Sequence, residues 1–281
     1  MAYKKLKSYA KINLSLNIIG KSQNLHKIES IIAFVSLHDV ILIKKIQSQK
    51  HIIVFNGKFS KNIPKNNSIL KLLNLLDKEK LLNNQKFKIK IDKNIPSKAG
   101  LGGGSMNAAH ILKYLIKQKI IKLSKKQISS ICKSIGSDVI LGLNFTYSVL
   151  KSNNEIKQFH NCKKFYTLIV KPNFGCSTKD IYSGVKKFSK TRLNKFSKKM
   201  IKFDYLKNLS NSLETIAFSR FPQLKNIKYH LEKSSNQGFV RMTGSGSALV
   251  AYFKSKKICD YVKKEFKKKY KNYWCIIAKT I

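Results

Sequence analysis

The chain has 281 residues, of which 43% are hydrophobic and 10% aromatic, enough apolar content to exclude the disordered class. Its 57 Lys and Arg against 13 Asp and Glu give a formal net charge of +44, but the lysines are spread along the whole chain beside an excess of Ile and Asn, which share AT-rich codons with Lys. The charge therefore reads as codon bias and not as a polyanion-binding arm, and five cysteines without a Cys-x-x-Cys pair exclude a disulfide frame and a zinc ribbon and fit reduced thiols in a cytoplasmic protein.

From Tyr9 to Ile18 the pattern alternates, with Ile12, Leu14, Leu16 and Ile18 on one face and Lys11, Asn13, Ser15 and Asn17 on the other. Such a polar row is usually a solvated sheet face. Its polar residues also interrupt the apolar segment that a signal peptide needs, and the best apolar run, Val139 to Leu150, falls short of the roughly 18 residues of a membrane span. Further apolar stretches at Ile28–Leu37, Val40–Ile46 and His51–Phe55 make the first quarter mostly sheet. Asn67 or Ser68 then caps a helix carrying Ile69, Leu72, Leu73 and Leu76, and Phe87, Ile89 and Ile91 alternate as a strand.

Between Ile95 and Ala109 four glycines, Gly100, Gly102, Gly103 and Gly104, fall within five positions and run directly into a helical pattern of Ala108, Ile111, Leu112 and Leu115. Glycines let the backbone turn its N–H groups inward, and a helix N-terminus adds unsatisfied donors and the positive end of a dipole. The expected guest is an anion, a phosphate above all. The spacing is neither a Walker loop, since no Lys follows until Lys113, nor a dinucleotide fingerprint, which needs glycine where Ser105 stands.

Ser124 and Gln127 form a capping box ahead of Ile128, Ile131 and Cys132, and Gly136 is placed to end that helix. Asp138 follows, and in isolation reads as a helix cap. A polar stretch from Lys151 to Cys162 marks a boundary. Beyond it come a strand at Phe165–Val170, a helix around Thr178–Val185, a Lys-rich solvated insertion at Lys186–Lys199, and helices near Ser212–Ser219 and Gln223–Lys233. Strands flank the small-residue turn Thr243-Gly244-Ser245-Gly246-Ser247, then a helix bears Ile258, Tyr261, Val262 and Phe266, and a last strand covers Trp274–Ala278. Six histidines show no metal spacing, and Gly-Ser-Gly is not a nucleophile elbow, so metalloenzyme and hydrolase readings have little support.

Three landmarks in order, Ala10-Lys11-Ile12-Asn13, Pro96–Ala109 and Met242–Ser247, resemble the three motifs of the GHMP kinase superfamily. Ala-Lys-Ile-Asn-Leu, His26, Leu37-His38-Asp39 and Gly136-Ser137-Asp138-Val139 bring the chain nearest to the members that act on a cytidine diphosphate ester of methylerythritol, in isoprenoid precursor synthesis. The resemblance implies an α+β fold of two domains, 1–155 like the second domain of ribosomal protein S5 and 156–281 ferredoxin-like. It implies transfer of the ATP γ-phosphoryl group to a 2-hydroxyl, with Mg2+, by a catalytic pair matching Lys11 and Asp138, and so turns Asp138 from a cap into a general base.

By the same resemblance, the loop of Pro96, Ser97, Lys98, Ala99, Gly100, Leu101, Gly102, Gly103, Gly104 and Ser105, with Asn107, binds the nucleotide, and Ser105 is a hydroxyl donor or magnesium contact. Asn13, His26, Thr243, Gly244 and Ser245 match substrate-side residues, His26 as the reader of cytosine and Tyr182 as an aromatic face for it. The implied partner is a small molecule, with neither nucleic acid nor membrane, for a monomer or homodimer. Three positions depart from the family pattern: Leu25 stands where an aromatic precedes His26, Met106 replaces a small hydroxyl residue, and Ser152-Asn153-Asn154-Glu155 replaces a glycine-containing turn. Two other readings stay open, a GHMP kinase for homoserine or a mevalonate derivative, and a basic nucleic-acid-binding protein, which predicts salt-steep binding without ATP turnover.

Overall fold

The computed structural model describes residues 2–22, 25–153, 155–193 and 196–281, and leaves the side chain of Leu25 outside that description. The first quarter is sheet, as its alternation predicts: β1 (Lys4–Ser22), β2 (Leu25–Ile46) and β3 (Ile52–Asn56) precede the first helix. Where two apolar stretches suggest two strands, β2 runs unbroken through Leu37-His38-Asp39. A buried acid is tolerated there because its carboxylate accepts the backbone N–H groups of Asn94 and Ile95, each at 2.8 Å. β1 also departs from expectation, for Lys11, Asn13, Ser15 and Asn17 are all buried, so its polar row is no solvated face.

α1 (Ser68–Lys78) starts where the Asn67 side chain accepts the N–H groups of Ile69 and Leu70. It is followed by β4 (Lys86–Asp92), α2 (Gly103–Lys117) and α3 (Lys125–Ile135), the last entered through the Ser124–Gln127 capping box and closed at Gly136. After a 3-10 turn at Ile140–Leu143 come β5 (Tyr147–Leu150), β6 (Ile156–Phe159), β7 (Tyr166–Lys171), α4 (Thr178–Ser183), α5 (Phe203–Lys207), α6 (Glu214–Arg220) and α7 (Pro222–Lys233). β8 (Gly238–Met242), β9 (Leu249–Phe253), α8 (Lys256–Lys269) and β10 (Trp274–Lys279) complete the order.

Two compact units result. One comprises Met1–Lys11, Leu37–Ser97 and Gly102–Phe145. In it β4 pairs antiparallel with β2, Ile41 facing Ile91 and Ile43 facing Ile89, and parallel with β3. Ile41, Ile43, Phe87, Ile89 and Ile91 on the sheet pack against Leu72, Leu73 and Leu76 of α1 and Ile111, Leu112 and Leu115 of α2. Each such side chain, fully buried, contributes roughly 1.5–3 kcal/mol, which is what anchors a glycine-rich helix start to a rigid layer.

The other unit comprises Ile12–Ser36, Lys98–Leu101 and Thr146–Ile281. Its main sheet has the order β10-β7-β9-β8, all antiparallel. With α4 to α7 between β7 and β8, and α8 between β9 and β10, this is the βαββαβ arrangement of ferredoxin-like folds. Residues 30–32 of β2 also pair with β5, which pairs with β6. The Lys-rich stretch keeps its described lysines exposed but is not loose. The Ser189 N–H donates to the Ile18 carbonyl at 2.7 Å, the N–H groups of Arg192 and Leu193 reach the buried Glu29 carboxylate at 3.0 and 3.2 Å, and Leu193 is fully buried.

Candidate active site

In the first unit the glycine loop delivers the chain into α2 through Gly102, whose backbone is left-handed at φ 70°. A side chain here would also meet Lys11, since a Cβ would lie 2.8 Å from its Cγ. Glycine is thus required twice over, by conformation and by space. No side chain caps α2, so the N–H groups of Gly103, Gly104 and Ser105, which have no partner within the helix, are presented at its positive end. This fits an anionic phosphate group. Ser105 is half-buried, and its hydroxyl lies beside Gly136, 3.7 Å from where a Cβ on that glycine would stand.

Lys11 and Asp138 meet in the same unit. The Lys11 ammonium, on a side chain 6% exposed, lies 3.2 Å from Asp138 Oδ2, on a side chain 35% exposed. Asp138 sits in the turn between α3 and the 3-10 turn, where the Val139 N–H donates to the Gly136 carbonyl, and no side chain caps that 3-10 turn. The carboxylate therefore serves Lys11 and not a helix end, and part of it remains exposed.

Beneath the loop lies a hub with no assigned role in the sequence. The fully buried Asp39 carboxylate takes the Lys93 ammonium, the N–H groups of Asn94 and Ile95, and the Asn107 amide at 2.9 Å. Pro96 is likewise buried, whereas Ser97 and Lys98 are exposed. Asn107, expected among the nucleotide-binding residues, is buried with its amide turned to Asp39. Met106 is buried too, packed where a Cβ on Gly142 would lie 2.9 Å from its sulfur, so the departure at this position faces the core.

In the second unit the remaining part of the loop, Lys98 to Leu101, is tied to the small-residue turn. The N–H groups of Ser247 and Ala248 donate to the carbonyls of Lys98 and Ala99 at 3.3 and 3.2 Å, and the Thr243 hydroxyl donates to the Gly100 carbonyl at 3.1 Å. A Cβ on Gly100 would run into the Thr243 carbonyl. Asn13 joins the same cluster. Its N–H donates to Thr243 Oγ1 at 3.0 Å, its side-chain oxygen accepts the Gly244 N–H at 3.0 Å, and its amide donates to Ser30 Oγ at 2.8 Å. Ser245 and Thr178 share a hydroxyl hydrogen bond of 3.0 Å.

His26 and Tyr182 are also together, their rings 5.3 Å apart and tilted by 50°. Burial, aided by the Lys21 charge, lowers the His26 pKa, so the ring is neutral at pH 7 and carries one donor and one acceptor nitrogen. Leu25 beside it, and Asn154 in the turn before Glu155, lie outside the described side chains and residues. Sequence reasoning picked out Asp39 only as part of the Leu37-His38-Asp39 motif, without its role, and missed two further organising residues, Asn211 and Arg241. Arg241 had a signal: a lone cation between Val240 and Met242 in an apolar strand. It is buried and donates to the carbonyls of Leu14, Leu206 and Leu209. Asn211 had none, since Asn before Ser212 and Leu213 reads as an ordinary cap.

Comparison with known proteins fits this geometry. Residues 67–150 match the family GHMP kinases N terminal domain. The chain is 54% identical over 277 residues, 99% of each chain, to the 4-diphosphocytidyl-2-C-methyl-D-erythritol kinase of Pelagibacter ubique (strain HTCC1062). Among solved structures, a 4-(cytidine 5'-diphospho)-2C-methyl-D-erythritol kinase superposes with a TM-score of 0.80 at 21% identity, covering 98% of this chain and 99% of that one. A homoserine kinase from Cytophaga hutchinsonii superposes with a TM-score of 0.70 at 13% identity, covering 100% and 95%, a likeness of fold alone.

Proposed function

The chain belongs to the GHMP kinases, among the 4-diphosphocytidyl-2-C-methyl-D-erythritol kinases, and we propose that it transfers the γ-phosphoryl group of ATP to the 2-hydroxyl of 4-diphosphocytidyl-2-C-methyl-D-erythritol. The observation that carries the reading down to residues is the Lys11–Asp138 pair at 3.2 Å beside a glycine that leaves Lys11 its room. Phosphoryl transfer asks a protein for positioning and charge neutralisation more than for covalent chemistry. Asp138 accepts the hydroxyl proton as the new oxygen–phosphorus bond forms and the bond to the leaving ADP breaks. Lys11 orients Asp138 and stabilises negative charge on the reacting oxygen.

Gly103, Gly104 and Ser105 hold nucleotide phosphate oxygens through their N–H groups, and Pro96 to Gly102, with Asn107, complete the nucleotide loop of this reading. Mg2+ belongs to the same reading and neutralises phosphate charge when bound. Nucleotide-bound Mg2+ takes most of its ligands from phosphate and water, so one protein hydroxyl, that of Ser105, suits it better than an acidic cage, and no cluster of three His, Cys, Asp or Glu is present among the described residues. On the acceptor side the neutral His26 ring reads the cytosine edge, and Tyr182 offers it a face. Asn13, Thr243, Gly244 and Ser245 hold the alcohol. The partner is this small molecule and not a nucleic acid, and the chain acts in the cytoplasm as a monomer or homodimer; no described helix is long and apolar enough to cross a membrane.

The test is ADP release by the purified protein with Mg-ATP and 4-diphosphocytidyl-2-C-methyl-D-erythritol, beside homoserine and mevalonate. Turnover with the cytidine substrate alone is expected. Turnover with homoserine or mevalonate instead would refute the assignment of substrate, and the absence of turnover with all three would refute the kinase reading.

A further inference from the structure

The turn Thr243–Ser247 is made of five small residues, two of them glycines with positive φ, so its own side chains do little to fix its shape. Its shape is nonetheless what places the Gly244 N–H on Asn13 and the Thr243 hydroxyl on Gly100. The restraint comes from the segment before α6. Asn211 is 3% exposed, and its side-chain amide donates both hydrogens, one to the Met242 carbonyl and one to the Gly244 carbonyl, each at 2.8 Å. Its side-chain oxygen accepts the Leu213 N–H at 3.0 Å, which fixes which way the amide faces.

The segment is itself fastened to β1, because the Leu16 N–H donates to Ser210 and the Ser212 N–H donates back to Leu16, at 3.1 and 2.8 Å. Three residues on, the Glu214 carboxylate accepts the Met242 N–H at 2.7 Å. The peptide unit before Thr243 and the one after Gly244 are thus both held by one anchored side chain, so the Thr243–Gly244 step is fixed from its two ends. The residue type matters: a primary amide carries two N–H groups, a hydroxyl offers one, and a carboxylate would set charge against two carbonyls.

We infer that Asn211 is a positioning residue for the acceptor substrate: it touches no reacting atom, and sets the Thr243–Gly244 geometry through which Asn13 and Thr243 hold the alcohol. This rests on the proposal that Asn13 and Thr243–Ser245 form the substrate side. Nucleotide binding should respond less, since the proposed phosphate donors are the N–H groups of Gly103, Gly104 and Ser105, and of the loop before them only the Gly100 carbonyl answers to Thr243, the carbonyls of Lys98 and Ala99 being held by Ser247 and Ala248 at the other end of the turn.

The experiment measures KM for the cytidine substrate and for ATP, kcat and Tm in Asn211→Asp, Asn211→Gln, Asn13→Ala, the Asn13→Ala/Asn211→Asp double variant, and Leu231→Ala, a change in α7 that lowers Tm through the core and removes none of the hydrogen bonds of the turn. Expected for Asn211→Asp is a rise of about tenfold or more in KM for the cytidine substrate with KM for ATP within about twofold. Asn211→Gln, which keeps both N–H groups, recovers part of the loss. Asn13→Ala raises the same KM, and the double variant is no worse than the worse single, because both act on one turn. Leu231→Ala leaves both KM values near wild type. A normal KM in Asn211→Asp while Asn13→Ala raises it, strict additivity of the two, or an equal rise in Leu231→Ala overturns the inference. If Asn13→Ala leaves KM unchanged, the substrate-side reading fails and takes the inference with it. Should Asn211→Asp not fold, Asn211→Ser, with one donor left, is judged by the same criteria.

Discussion

Gly102→Ala joins the backbone of the proposed phosphate loop to the proposed catalytic pair in one perturbation. A Cβ at this position lies 2.8 Å from Lys11 Cγ, whereas ordinary contacts begin at 3.4 Å, so Lys11 must retreat by about 0.6 Å. It has little space to do so, being buried, and its ammonium is held 3.2 Å from Asp138. The left-handed backbone at φ 70° adds a conformational cost of about 1–2 kcal/mol for any residue with a Cβ. Stability should fall by that amount, seen as a Tm lower by about 2–8 °C. Turnover should fall further than stability suggests, by about 10²-fold in kcat, because a misplacement of this order disturbs in-line geometry. Gly104→Ala is the contrast, for its Cβ meets nothing nearer than Ser68 Oγ at 3.5 Å, and Tm should hold or rise. Differential scanning calorimetry and steady-state ADP release decide the matter. A Gly102→Ala protein with wild-type kcat would show that Lys11 is not confined by the loop, and the reasoning would fall.

Asp138→Asn should lower kcat by about 10²–10⁴-fold while the dissociation constant for ATP, measured by calorimetry, stays near wild type; a kcat within threefold of wild type, as a rough bound, would remove the general-base role. Asp39→Asn should destabilise the first unit by about 3–5 kcal/mol, because it leaves the Lys93 ammonium buried without its counter-charge, and denaturant unfolding reads the loss. His110 is buried against Phe145, rings 4.1 Å apart, and burial pushes its pKa down to about 4. The unfolded chain takes up this proton below about pH 6.5 and the folded chain does not until about pH 4, so stability is full above 6.5 and declines between the two. Relative to His110→Phe, the wild type should lose about 2–3 kcal/mol between pH 7 and pH 4.5, and a constant difference would refute the assignment.

Local chemistry made much of the fold legible. The Asn67 cap, the Ser124–Gln127 box and the alternation of Phe87, Ile89 and Ile91 involve residues within a few positions of one another, and each formed where expected. The polar row of β1 was misread because periodicity tells that two faces differ, not what covers them; Asn13 is buried by Thr243 and Gly244, some 230 residues away. The Lys-rich stretch keeps its described lysines exposed, as a solvated insertion should, but that its backbone is gripped by Glu29 could not be read for a related reason. In the site, glycine spacing singled out the loop that enters α2 at Gly102, and Asp39 stood out only as part of a motif, but Asn211 works by donating to backbone groups far off in sequence, and a backbone partner leaves no mark on the residue that supplies it.

The link between Gly100 and Thr243 has a consequence in time. Those residues are 143 positions apart, so at roughly 5–20 residues per second a ribosome takes about 7–30 s to make the second after the first. Through that interval the nascent phosphate loop has its α2 helix start but not the hydrogen bonds that set Lys98, Ala99 and Gly100, and Asn13 waits longer still. A chain halted before Met242 therefore carries the α2 start without the partners of Lys98, Ala99 and Gly100, and the turn that supplies them closes only when roughly the last forty residues of the polypeptide emerge.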